Sequence, residues 1–177
     1  MRLHSIAVVT FVMTASAACT TQGAEPDDPP SEQPDASSPP EVSTEEAALE
    51  AYESMWSVLV EESHHVDPDY SDLELYASGD ALALVEHGLN AEAEDGFVSR
   101  GEPTFSPEAA ADDDELVTIE DCMDSTSWLR EDGETGELVE PSPEDPILRQ
   151  VDATVDFDGL SWKVTDLRIW ESGSCDG

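Results

Sequence analysis

The chain has 177 residues, 43 of them acidic and 6 basic, for a formal net charge of −37 at pH 7. A surface of that sign disfavours nucleic acid and anionic headgroups as partners, and the length suits one folded domain with additional segments. The acidity reads either as a solvated surface that raises solubility or as adaptation to high salt, where ions screen the self-repulsion; neither reading bears on catalysis.

The first five residues make a short, weakly positive start, and residues 6–15 are an apolar run. That run is too short for a permanent bilayer span and fits the core of a signal peptide. Ser16-Ala-Ala-Cys19 follows and resembles a bacterial lipobox. In that family the signal peptidase cuts before the cysteine, which is diacylated on sulfur. The resemblance implies a signal peptide over residues 1–18, lipidation at Cys19 and a mature protein on the extracytoplasmic face of the cell membrane. Ser16 stands where the pattern has Leu, Val or Ile; an ordinary secretory signal cut near Ala18 is the alternative, and the protein is then secreted. With Cys19 at its head, residues 19–42 form an acidic tether. Six of the chain's twelve prolines lie there with six acids and no base, too little apolar surface to offset chain entropy. Extended at ~3.1 Å per residue, such a tether reaches on the order of 70 Å.

The folded domain is expected over residues 43–177. Ser43-Thr-Glu-Glu46 has capping-box spacing. Ala48, Tyr52, Met55 and Leu59 then share one helical face, with Leu49, Trp56 and Val60 beside them, which predicts a helix to about His64. Pro68-Asp69 opens a shorter second helix carrying Leu73 and Tyr76, ended by Gly79. Asp80 is placed to cap a third, with Leu82, Val85 and Leu89 along its face.

After Gly96 the pattern changes to strands. Residues 97–105, broken by Gly101 and Pro103, read as an edge strand. Residues 109–114 read as an acidic turn. In the second strand, residues 115–122, Leu116, Thr118, Glu120 and Cys122 oppose Val117, Ile119 and Asp121. Residues 123–129 continue it past a kink, and 131–146 form a long loop. Residues 151–170 read as a hairpin with Asp158-Gly159 as its two-residue turn. That turn sets Phe157 against Leu160, Val155 against Trp162 and Ala153 against Val164. Leu167 and Ile169 are out of phase with Trp162 and Val164, which predicts a β-bulge near Asp166 that curves the sheet. Three helices followed by four strands make an α+β domain, helices packed on a curved antiparallel sheet. With Cys19 lipidated, Cys122 and Cys175 remain. An even pair in an exported chain reads as a disulfide, with the tail bending at Gly173 and folding back over the strand between them. A metal site is the alternative, but two sulfurs without a nearby histidine are a poor zinc set.

This order of elements resembles the nuclear transport factor 2-like cone, the fold of ketosteroid isomerase and polyketide cyclases. Ala51-Tyr-Glu-Ser-Met-Trp56, Tyr76-Ala-Ser-Gly-Asp-Ala-Leu82, Gly101-Glu-Pro103, Asp121-Cys-Met-Asp-Ser-Thr-Ser-Trp128, Gly159-Leu-Ser-Trp-Lys-Val164 and Cys175 are similar to phrases in a group of actinobacterial exported lipoproteins with that fold. The resemblance implies a fold and an address, with no assigned reaction.

A cone has a pocket between helices and sheet, and Tyr52, Trp56, Asp72, Tyr76 and Trp162 are its candidate lining. Enolate chemistry in such a pocket needs a carboxylate base and a hydroxyl donor, and no motif carries that pair onto this chain. Tyr52 lies on the apolar face and reads first as a core residue. His64 and His65 end a helix, where a cation suits the dipole, and His87 falls on an exposed face. Asp112-Asp-Asp-Glu115 lacks the glycine and spacing of a calcium loop, and hairpin chemistry explains Asp156-Phe-Asp-Gly159. No catalytic set, metal or cofactor is expected. The sequence therefore points to a non-catalytic domain that binds a small molecule or an envelope protein; an isomerase- or cyclase-like enzyme using the cone pocket is the alternative, and a structural envelope protein a third.

Overall fold

A computed structural model describes residues 42–139 and 148–175. The expected signal peptide, Cys19, the tether up to residue 41 and the end of the long loop lie outside the described residues. The element order is α1 Thr44–Ser63, α2 Leu73–Tyr76, α3 Gly79–Glu94, β1 Phe97–Arg100, β2 Glu108–Ala111, β3 Leu116–Asp124, β4 Leu129–Asp132, β5 Leu148–Phe157 and β6 Trp162–Ile169.

The capping box forms. Glu46 N–H donates to Ser43 Oγ and Ser43 N–H to Glu46 Oε2, each at 3.2 Å, so two orphan helix donors are satisfied reciprocally. Two of the three helices are substantial; α2 is a single turn and begins later than expected. The Asp69 carboxylate accepts from Ser71 N–H at 3.0 Å, a local bond that competes with helix for the same backbone. Gly79 does not end α2. It opens α3 at φ +59°, and an added Cβ there would sit 3.2 Å from Thr165 O. Between the helices the chain touches the sheet: Ala77 bridges Val164 in parallel and Ser78 N–H donates to Val164 O at 2.9 Å. The N-cap of α3 is Ser78; Asp80 lies in the first turn instead.

Among the described residues the strands number six and form two sheets, not one sheet of four. The larger is antiparallel with order β2-β3-β5-β6; the smaller pairs β1 with β4. The first strand therefore belongs to the small sheet, with Phe97 opposite Asp132 and Arg100 opposite Leu129. Residues 109–111, expected to begin a turn, belong instead to the edge strand β2, with Ala111 opposite Val117. Their small side chains give no strand signal, so pairing to β3 overrides propensity. The β5–β6 register also differs from expectation: Phe157 faces Trp162 and Val155 faces Val164. Asp158 causes this. Its carboxylate accepts from Leu160 N–H at 2.8 Å and Ser161 N–H at 2.9 Å, which lengthens the turn by two residues and leaves Leu160 92 % exposed. The bulge is present: Val155 pairs Val164 while Thr154 pairs Asp166, so Thr165 is the extra residue, its hydroxyl bonded to Asp156. Val164 and Leu167 are both buried as a result.

Helices and the larger sheet enclose the core, where Tyr52, Met55, Leu73, Val117, Ile119, Val151, Val155 and Val164 are fully buried. Cys122 points to the other side of β3 and is bonded to Cys175, with Cα atoms 6.0 Å apart. The tail reaches it across β5: Trp170 N–H donates to Gln150 O at 2.9 Å, Gly173 N–H to Leu148 O at 2.7 Å and Gln150 N–H to Ser174 Oγ at 2.8 Å.

Candidate functional site

A cavity of about 360 Å³ opens between α1, α3 and the β1–β4 pair. Helical spacing supplies two of its walls. Trp56, Leu59 and Ser63 stack on α1, and Val85, Gly88, Leu89 and Glu92 on α3; residues three and four apart share a face. Phe97 and Ser99, two apart on β1, Trp128 just before β4, Leu129 at its start, and Ile169 at the end of β6 face them. The lining is mainly apolar. Trp56 Nε1 and Trp128 Nε1 are buried and have no hydrogen-bond partner among the described residues.

The rim is polar and its charges are paired. Arg130 Nε donates to Glu92 Oε2 at 2.6 Å, its Nη2 lies 3.7 Å from Asp95 Oδ2, and the guanidinium sits 3.8 Å above the Phe97 ring. His65 Nε2 lies 3.9 Å from Glu61 Oε1. Arg100 pairs with Glu131 across the small sheet.

On the other side of Trp56, a second cavity of about 310 Å³ lies between α1 and the segment that follows Gly101. Tyr52, Trp56 and Phe105 line it beside Glu53, Glu61, His64 and Glu102. Trp56 packs on Phe105 with centroids 4.8 Å apart. His64 Nε2 donates to Gly101 O at 3.0 Å.

The sequence candidates scatter. Trp56 separates the two cavities. Tyr52 is 0 % exposed, and its hydroxyl donates to Asp121 Oδ2 at 2.8 Å. Desolvation first, then the Asp121 charge, push its pKa far above the usual tyrosine range. Asp72 is exposed ahead of α2, Tyr76 is half-buried at the core edge, and Trp162 lies against Phe157 with centroids 5.4 Å apart; none of these three lines either cavity. His87 is exposed on α3. Sequence reading passed over Asp121, Trp128, Phe97 and Arg130. Asp121 gave a signal, since it alternates in phase with Val117 and Ile119 and so had to face the core.

Among the described residues, no group of three or more His, Cys, Asp or Glu is placed to hold a metal ion, and no helix is long and apolar enough to cross a membrane. No protein-family model and no curated protein matches the chain. Among solved structures it is similar to the intermembrane space region of the chloroplast protein ARC6, at 12% identity over 72% of this chain and 97% of that one, with a TM-score of 0.47.

Proposed function

We propose that the domain binds a small apolar molecule in the α1–α3 cavity without transforming it, and that lipid on Cys19 holds it outside the cytoplasmic membrane. The observation that carries this is the cavity itself. Its volume falls within the range of small-molecule sites, which are apolar with a few placed polar groups. The helices packed on one face of a bulged antiparallel sheet support a nuclear transport factor 2-like reading of the fold. The ligand would then lie toward one end of the helix layer, because Tyr52, Met55 and the valines fill the space above the main sheet.

The enzyme alternative has one observation in its favour: a tyrosine beside a carboxylate, the pair enolate chemistry calls for. Here the pair is sealed. Asp121 is 4 % exposed, its Oδ2 accepts from Tyr52 and its Oδ1 from Ser106 N–H at 2.7 Å. A reacting atom needs contact with the base, so Tyr52 and Asp121 serve the core.

A neutral dye, N-phenyl-1-naphthylamine, tests the binding reading. One saturable site is expected, with binding lost in Gly88→Leu, which adds a side chain to a wall where a Cβ meets nothing within 4 Å. Dye binding unchanged in that variant sinks the cavity. Radiolabelled palmitate tests the address: wild type is expected to incorporate the label and Cys19→Ser to incorporate none, and an unlabelled wild type contradicts lipid anchoring there.

A further inference from the structure

We infer that the second cavity, between α1 and the segment after Gly101, takes a linear polyamine, a flexible chain of methylenes with an ammonium group toward each end. This site is separate from the α1–α3 cavity and does not depend on a ligand there. Helical spacing builds one side of it. Glu53, Ser57 and Glu61 recur every four residues on α1, and all three are exposed in the wall. Glu102 stands on the facing segment, also exposed. The rest of the groove is largely apolar. Phe105 offers a half-buried ring, with Val60 and Pro103 in the same lining. Trp56, almost wholly buried, backs that ring with centroids 4.8 Å apart.

Carboxylates alone say little in a chain with 43 acids; their partners and spacing say more. No lysine or arginine lines the groove, and Arg100, which precedes it, is held by Glu131. Among the described residues Glu53 and Glu102 have no ion-pair partner, and Glu61 has only His65 at 3.9 Å. The other titratable groups of the lining are committed: His64 Nε2 donates to Gly101 O, beside Glu102, and the Tyr52 hydroxyl donates to Asp121. The countercharge for the groove therefore comes from outside the chain. A metal ion does not fit, because among the described residues no group of three His, Cys, Asp or Glu is placed to hold one. Glu53 and Glu61 stand eight residues apart on the helix, about 12 Å at 1.5 Å per residue. A compact ion meets one of these carboxylates at a time. A linear polyamine meets two or three together, and its methylenes lie on the apolar lining between them. An ammonium beside Phe105 adds a cation–π contact.

The test is a spermidine titration of the ¹⁵N-labelled full chain at about pH 8, above the ordinary range of histidine. Salt at about 0.15 M screens the field of distant acids. One saturable site is expected, read as shifts of the Ser57, His64 and Phe105 amides. Butylamine, with a single charge, and magnesium ion, with two charges at one point, are expected to bind at least about tenfold more weakly. The triple variant Glu53→Gln, Glu61→Gln, Glu102→Gln is expected to weaken spermidine by at least about tenfold. A second triple, Glu94→Gln, Asp114→Asn, Glu134→Gln, removes the same charge from exposed positions outside the groove and is expected to stay within about twofold. Equal weakening in the two triples reduces the binding to the general field of an acidic chain and overturns the site. Magnesium binding as tightly as spermidine overturns the polyamine. Shifts confined to other segments, or no saturable shift at all, overturn the groove.

Discussion

The Tyr52 hydroxyl donates to Asp121 Oδ2 at 2.8 Å, joining α1 to β3 across 69 residues of chain. Both groups are buried, and the second carboxylate oxygen takes Ser106 N–H. A buried carboxylate is tolerated where its lone pairs are occupied. Tyr52→Phe removes one of those two bonds and leaves the carboxylate in place. The expected loss is about 1–3 kcal/mol, read as a lower urea midpoint with unchanged slope. An unchanged midpoint would mean that the pair contributes nothing to folding.

The same pair sets a pH dependence. Burial, then the Asp121 charge, raise the Tyr52 pKa above its ordinary value of 10.0. Above pH ~10 the unfolded chain releases this proton and the folded chain keeps it, so stability falls as pH rises. Below pH ~10 the contribution is fully present. Wild type is expected to lose more stability than Tyr52→Phe between pH 9 and about 11, measured by urea titration at each pH. Parallel curves would contradict this.

Two glycines are expected to respond to alanine with opposite sign. Gly88 sits inside α3 with open space where a Cβ would go, so Gly88→Ala is expected to raise stability by about 0.5–1 kcal/mol through helix propensity. Gly101 has φ +78°, and a Cβ there would run into Ser127 O. Gly101→Ala is expected to cost on the order of 1–3 kcal/mol, and because this glycine follows β1 directly, to disturb the β1–β4 wall as well. Thermal melts of the two variants decide it; a stabilising Gly101→Ala would refute the close approach to Ser127.

The Cys122–Cys175 bond closes a sequence separation of 53 residues, which the chain-entropy model values at roughly 4 kcal/mol. Cys175→Ser is expected to lower stability by that order and to free the strap over β5. Amide exchange at Gln150, whose N–H is held by Ser174 Oγ, should then rise far more than at Ile119 in the core. Equal protection in both forms would show that hydrogen bonds alone hold the tail.

Much of the fold was legible because it is periodic. The Ser43 capping box, the Tyr52–Met55–Leu59 face, the alternation along β5 and the bulge demanded by Leu167 and Ile169 all follow from local spacing. The pairing of β1 with β4 was not legible, since two four-residue strands about thirty positions apart carry no pattern that names the partner. Strand β2 was hidden by its alanines. The hairpin register turned on one carboxylate, Asp158, choosing a longer turn than Asp-Gly usually makes. The candidate site was the least legible part, because its walls come from α1, α3, β1, β4 and β6, and of the sequence candidates only Trp56 and His65 line it. Trp128 lies in the turn between β3 and β4, where no periodicity marks it as a cavity wall.

The most direct measurement is a crystal structure of the protein under xenon pressure, because xenon enters dry apolar voids and reports them without chemistry of its own. Binding of an apolar molecule between α1 and α3 requires xenon density among Trp56, Val85, Leu89 and Phe97. A crystal in which Trp128 or Phe97 fills that space, with no xenon there, would contradict it.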